Sequence, residues 1–429
     1  MSELNLINLV QKTILSEHVC LDLNAQEIAL DVSVIEKKFL FANDSNKICL
    51  DLDFKDDLIS MQTGYYVGID WLIPNQWVVH IPPKVDKADK QTDYLSMLFT
   101  CMKDKEIARY IKRLCDINFS KPDIEVDSRD DLLTPFLVAQ FMNLMRVIVQ
   151  KGLKKSYYKV EKNLVNKAKG KILVSKTLNT NFVKQRKNKI FCEYEEFGIN
   201  NLENRVLKKA LIFAQSYLKQ FPLNVQEMAG IFNFVSPAFE LVDDDVDIAT
   251  IKNVKTNTFF KEYPEAINLA KLILRRFGYN LQNIEGLKHN YRVPPFWIDM
   301  PLLFELYVYR LLKSKFGDAV QYQVIGKRNQ PDFLIVTEHE KIILDAKYKT
   351  KYTDDFVNDD IRQLSGYARD IKILRRLGID ESLLDQVVID CIIIYIDQEA
   401  YAEIPNDLKM TPIEDFVKFY KVPISIPTF

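Results

Sequence analysis

Hydrophobic and polar positions change their period along this chain. Up to residue 90 they alternate or cluster in short runs: "ICLDLDF" at 48–54, "YYVGIDWL" at 65–72 and "QWVVHIPPKV" at 76–85. Turn residues bound each run, which predicts short strands and a β-rich N-terminal domain over residues 1–90. From Thr92 the apolar spacing turns helical. "DYLSMLFTCMKDKEIARYIKRL" predicts one helix, and "LLTPFLVAQFMNLMRVIVQKGL" a second whose regular part starts at Thr134-Pro135. "AKGKILVSKTL" reads as a glycine followed by a strand. "CEYEEFGINNLENRVLKKALIFAQSYL" reads as a turn at Gly198 leading into a long amphipathic helix, and "YPEAINLAKLILRRFGYN" as a helix closed by Gly278. Past "YRVPPFWIDM" a new unit is predicted, in the order helix, strand, strand, helix, strand. The predicted class is therefore α/β and α+β multidomain. A mixed helical and strand region at 91–290 follows the β-rich domain, and an α/β core occupies 291–429.

Composition narrows this only a little. A chain of 429 residues exceeds one ordinary core, and 48% hydrophobic with 27% charged residues is globular composition. With no basic-then-apolar leader and no apolar run of spanning length, a cytoplasmic protein that does not enter a membrane is expected. Six cysteines without C-x-x-C spacing and four isolated histidines argue against disulfides, structural zinc and iron–sulfur clusters. No G-x-x-x-x-G-K-[ST] occurs, so the chain is not expected to bind a nucleotide itself.

The distribution of charge is more informative. The net charge of −1 hides thirteen Lys/Arg against one acid, Glu161, between Lys151 and Lys189, offset elsewhere by runs such as "DDDVD" at 243–247. A basic block in a neutral chain suits a phosphate backbone, so Lys169, Lys171, Lys184, Arg186, Lys187 and Lys189 are candidate contacts to double-stranded DNA. The bland alternative is a solvated lysine face.

The chemistry concentrates at 329–350, "NQPDFLIVTEHEKIILDAKYKT". Charged groups in strand-like runs need a partner or a metal. "DFLIV" and "KIILDAKY" around "TEHE" read as a hairpin. A turn centred between Glu338 and His339 sets Asp332 opposite Asp345, with Asp345 and Lys347 on one face. Asp332, Asp345 and the carbonyl of Ala346 would suit Mg2+, and Lys347 would assist phosphodiester hydrolysis. Upstream, Glu305 lies on a predicted helix as an accessory carboxylate. Downstream, Gln363 and Tyr367 stand one helical turn apart as accessory positions. As a structural alternative, Asp345 and Lys347 form an edge-strand ion pair and Gln363 and Tyr367 are surface polars.

The order helix, Asp strand, Asp-x-Lys strand, Gln-x-x-x-Tyr helix resembles the RecB-like branch of PD-(D/E)xK nucleases. More closely, the chain resembles the McrC family beyond residue 80, in "HIPPKVDKADKQTDYLSMLFTCMKD", "KGKILVSKTL", "CEYEEFGINNLENRVLKKAL" with Asn204 and Arg205, "ILDAKYK" and "IRQLSGYA". That resemblance implies a restriction-endonuclease-like C-terminal core and a Mg2+-dependent DNA nuclease subunit. It also implies a McrB-type AAA+ GTPase hexamer as partner, which recognises modified DNA. Two other readings stand beside it: a standalone RecB-like nuclease, and an inert adaptor that binds DNA and a motor.

Overall fold

The computed structural model describes residues 11–15, 20–24, 35–55, 58–83, 92–104, 106–118, 120–127, 133–218, 222–246, 260–282, 290–326, 330–349 and 354–428. Two compact units emerge: Met1–Phe136 with Arg292–Phe429, and Leu137–Tyr291. This division differs from three consecutive segments, because the first unit draws chain from both ends.

The N-terminal part of the first unit contains β1 (Gln11–Ile14), β2 (Cys20–Asn24), β3 (Lys38–Leu40), β4 (Ile48–Lys55), β5 (Leu58–Thr63), β6 (Tyr66–Ile73) and β7 (Trp77–Ile81). After α1 (Tyr94–Met102) come β8 (Cys115–Ile117) and β9 (Ile124–Asp127). One sheet has the order β2-β5-β4-β3. A second places β1, β7 and β6 side by side. Apolar residues of both sheets, among them Leu50, Ile59, Met61, Trp77 and Val79, form one buried cluster. The predicted helix from Asp93 to Leu114 is broken. Asp93 caps α1 by accepting from Ser96 N at 2.9 Å. Asp104 then accepts from Glu106 N at 2.8 Å and Ile107 N at 3.3 Å, starting a separate 3-10 stretch over Ile107–Arg113.

Helix α2 (Leu133–Lys151) includes Thr134-Pro135 in its first turn and ends at Gly152, whose φ of +89° suits glycine. The second unit continues with β10 (Ser156–Val165), β11 (Lys171–Ile172), α3 (Val174–Thr177), β12 (Lys189–Gly198), α4 (Leu202–Leu218), α5 (Pro222–Val235) and α6 (Glu262–Gln282). β10 and β12 pair antiparallel from Ser156↔Gly198 to Val165↔Lys189. The strand expected after Gly170 is only two residues long. Leu173 N still reaches Phe191 O at 2.8 Å, but Thr177 N then bonds back to Leu173 O at 2.9 Å and the chain turns helical. Gly170 itself is required. At φ +69°, a Cβ there would lie 2.4 Å from Glu193 O.

Helices α4 and α6 bury stripes at helical spacing, Val206, Leu207, Ala210, Leu211 and Ala214 on one, Ala266, Ile267, Ala270, Ile273 and Leu274 on the other. Gly278 does not close α6, which runs on to Gln282.

Past β13 (Asn290–Val293) the chain enters β14 (Phe296–Asp299). That strand pairs with β6 and β8, completing the five-stranded sheet β1-β7-β6-β14-β8. Gly68 makes the approach possible, since a Cβ there would lie 2.1 Å from Phe296 O. Asp299 then caps α7 (Met300–Phe316) through Leu302 N at 3.0 Å. The rest is β15 (Val320–Tyr322), β16 (Phe333–Val336), β17 (Lys341–Lys347), α8 (Asp354–Tyr367), α9 (Ile371–Arg376), β18 (Asp390–Ile396) and β19 (Phe419–Ile424). These strands form one sheet in chain order, antiparallel from β15 to β17 and parallel from β17 to β19. The predicted order holds, with β15 and β19 added at the two edges and the short α9 added after α8. The whole is a mixed α/β architecture of several sheets.

Candidate active site

Burial on both faces makes β16 and β17 near-continuous apolar runs. Phe333, Leu334, Ile335, Ile342, Ile343 and Leu344 are all fully buried. The hairpin register runs from Val336↔Lys341 to Phe333↔Leu344, with Thr337 N donating to Glu340 O at 2.9 Å across the turn. One step further the register sets Asp332 opposite Asp345. Ala346 N donates to Asp332 Oδ2 at 2.8 Å, fastening that carboxylate to the neighbouring strand.

Ile343, Asp345 and Lys347 alternate onto one face of β17. Ile343 belongs to the buried cluster with Ile361, Leu364 and Tyr367 of α8, so the same face carries Lys347 toward that helix. Lys347 Nζ donates to Gln363 Oε1 at 2.7 Å, and Gln363 Nε2 donates to the Tyr367 hydroxyl at 2.5 Å. Lys347 also forms an ion pair with Asp345 and stands 3.8 Å from Asp360. The expected residues Asp332, Asp345, Lys347, Gln363 and Tyr367 are thus brought together.

Electrostatics follow from burial. Asp345 is only 2% exposed. Burial and the charge of Asp345 raise the Asp332 pKa well above the carboxylate range. Burial also raises Asp345, against the lowering effect of Lys347. Glu305, on α7, accepts from Gln323 Nε2 at 3.2 Å and lies against the Tyr322 hydroxyl. Burial, helped by the charges of Asp345 and Asp299, pushes its pKa up to about 7. Three carboxyl groups at this sheet end, Asp332, Asp345 and Glu305, thus hold their protons more tightly than free carboxyls do.

Asp332 and Asp345 are the side chains here that could hold a hard cation. Asp345 Oδ2 is buried and has no directional hydrogen bond, only its ion pair with Lys347. Among the described residues no three His, Cys, Asp or Glu side chains gather closely enough to form a cage alone. Magnesium needs no cage. It takes one or two carboxylates, keeps several waters, and prefers the all-oxygen donors present here.

A family model described as "McrBC 5-methylcytosine restriction system component" matches residues 61–376, about three quarters of the chain. The chain belongs to the McrBC family. No curated protein matches it. Among solved structures, a half-complex from a tetradecameric assembly of Thermococcus gammatolerans McrB AAA+ hexamers with bound McrC is 16% identical. That alignment covers 97% of this chain and 95% of the other, at a TM-score of 0.39. The cryo-EM structure of the Thermococcus gammatolerans McrBC complex is 18% identical over 70% of this chain and 87% of the other, at 0.28. The family assignment rests on the family model, since scores this low decide nothing about the fold.

Three neighbours of the site carried no motif. Asp360 precedes Gln363 by three residues, a spacing that puts both on one helical face. Lys349 donates to both oxygens of Asp360, at 3.1 and 2.9 Å. Gln323 bonds Glu305 from a segment with no distinctive sequence.

The basic candidates all lie in the second unit. Lys169, Lys171, Lys184, Arg186 and Lys187 are exposed and Lys189 is half-buried. Lys169 pairs with Glu196 at 3.5 Å and sits 4.0 Å from the Tyr194 ring centroid. β12 also sets Glu193 opposite Lys171 and Glu195 opposite Lys159, charges that a count ending at residue 189 omits. Lys184, Arg186 and Lys187 make no ion pair among the described residues. Among those residues, no helix is long and apolar enough to cross a membrane.

Proposed function

We propose that this chain is the DNA-cleaving, McrC-type subunit of a McrBC-like restriction system, that its C-terminal sheet is a PD-(D/E)xK nuclease core, and that it acts with an AAA+ GTPase of the McrB type. The observation that carries the reading is the convergence of Asp332, Asp345 and Lys347 at one strand end, with Gln363 and Tyr367 behind the lysine. Family membership supports it, as does the absence of a phosphate-loop motif from the sequence.

Asp332, Asp345 and the Ala346 carbonyl would hold Mg2+, which when bound supplies Lewis-acid activation of water and charge neutralisation at the phosphate. Lys347 donates to a non-bridging phosphate oxygen and stabilises the charge that builds up during attack. Gln363 fixes the direction of that ammonium, and Tyr367 fixes Gln363. Glu305 tunes the field around Asp345 from α7. Positioning of the duplex against this site is the contribution expected from the GTP-driven partner.

One reconstitution tests the proposal. Cleavage is measured with the chain alone, with its AAA+ partner, with partner and GTP, and with partner and a non-hydrolysable analogue. Magnesium-dependent cutting should rise by orders of magnitude with partner and GTP, and Asp345→Ala should abolish it without loss of assembly. Vigorous cutting by the chain alone, indifferent to partner and nucleotide, would leave a standalone nuclease. Wild-type cutting by Asp345→Ala would remove the site.

A further inference from the structure

We propose that Asp360 is a positioning residue for Lys347, a second carboxylate that keeps the ammonium at Gln363 when Asp345 turns to a cation. The inference rests on the nuclease reading of Lys347, and it concerns a residue outside the metal-donor set.

Asp360 is 5% exposed, and a carboxylate so buried must be paired. Its pairing is unusual in being shared. Both oxygens accept from Lys349, at 3.1 and 2.9 Å, and Oδ1 also lies 3.8 Å from Lys347 Nζ. Asp345, Lys347, Asp360 and Lys349 thus form a charge-balanced set of two acids and two ammonium groups. The arrangement resolves a conflict. If Asp345 were the sole counter-charge of Lys347, the carboxylate wanted by a cation would already be committed to the lysine. With Asp360 close by, Lys347 keeps an anionic neighbour whichever way Asp345 turns. Gln363, a neutral acceptor at 2.7 Å, then sets the direction of the ammonium.

The fold holds this carboxylate firmly. Asp360, Gln363 and Tyr367 occupy one face of α8 at spacings of three and four residues, the face packed on the sheet. Lys349 is anchored on the other side, its N–H donating to Lys347 O at 2.7 Å and its carbonyl accepting from Ile396 N at 3.2 Å. Asp360 therefore joins the end of β17 to α8 through charges as well as packing. In so buried a setting a charge at this distance is felt strongly, because little water screens it.

The test uses the full chain with its AAA+ partner, GTP, magnesium and duplex DNA. Asp360→Asn keeps the shape and removes the charge. Its kcat for cleavage should fall about 10- to 100-fold with KM for DNA unchanged, the loss usual when a supporting group of a metal site is removed. Asp360→Asn also strands Lys349, so the double variant with Lys349→Met separates the roles. If Asp360 serves only as a structural partner of Lys349, the double variant recovers both melting temperature and cleavage, which overturns the proposal. Under the proposal it recovers the melting temperature and stays slow. Lys347→Met cutting at the wild-type rate would instead reject the nuclease reading. Crystal structures then still decide about Asp360: in Asp360→Asn the Lys347 ammonium should leave Gln363, and an unmoved ammonium overturns the inference.

Discussion

Glu305 shows how burial turns one side chain into a pH-dependent load on the fold. Its pKa is raised from 4.5 to about 7, so the folded state holds the proton more tightly than the unfolded chain does. Its contribution to stability is complete below the unfolded pKa and is lost as pH rises through the folded one. Asp332 and Asp345 are shifted in the same direction and add to the same trend. In chelator, melting temperature should therefore fall as pH rises from about 4.5 to about 7, and Glu305→Gln should flatten part of that slope. Magnesium should raise the melting temperature above that window by binding the ionised carboxylates, and Asp345→Asn should remove most of the gain. A flat wild-type profile in chelator would mean that these acids are better solvated than their burial implies.

At the scale of elements, the motif region was the most legible part of the chain. The tetrapeptide "TEHE" fixes the turn, the turn fixes the β16–β17 register, and the register puts Asp332 opposite Asp345. Local rules suffice there. They fail where a distant partner decides. Nothing in "PFWID" indicates that β14 joins β6, because that depends on Gly68 more than two hundred residues earlier. Asp360 had no motif because its role depends on which way α8 faces. The "DKE" at 104–106 reads as helix by propensity, yet Asp104 captures two backbone amides and breaks it.

The Asn204-Arg205 pair divides in a way its sequence cannot show. Asn204 is fully buried, accepts from the Tyr263 hydroxyl at 2.7 Å, and donates to Lys154 O at 2.9 Å and Ile199 O at 2.7 Å. It ties the start of α4 to α6 and to the segment entering β10. Arg205 is partly exposed, with Nε donating to Asn200 at 3.0 Å and a 3.4 Å ion pair to an exposed Asp243. Asn204→Ala removes three hydrogen bonds and takes the acceptor from the Tyr263 hydroxyl, while Lys154 O keeps Asn201 Nδ2 at 2.9 Å. It should cost roughly 2 kcal/mol in denaturant melts. Arg205→Ala should cost roughly 1 kcal/mol or less. Equal costs would show that the network is wetter than its burial indicates.

For the whole molecule, the net charge of −1 means that any hold on DNA must come from a local patch rather than an overall field. The structure sorts the basic segment into lysines already answered by acids and cations that are not. Lys169 has Glu196 and the Tyr194 ring, and Lys176 is ion-paired with Glu161. Lys184, Arg186 and Lys187 are exposed and make no ion pair among the described residues. If the segment contacts a duplex, those three carry the phosphate contacts. Reversing all three to Glu should weaken binding uniformly across sequences. It should also shallow the log–log salt dependence by about one unit per lost contact, roughly three in all. Lys169→Glu is the internal control, because a lysine already neutralised by an acid releases little counterion on binding. Its slope should stay near wild type. An unchanged slope in the triple variant would assign the patch to solvent. A slope lost equally in the Lys169 variant would mean that the Glu196 pair opens when DNA arrives, and that the acids of β12 regulate the patch rather than silence it.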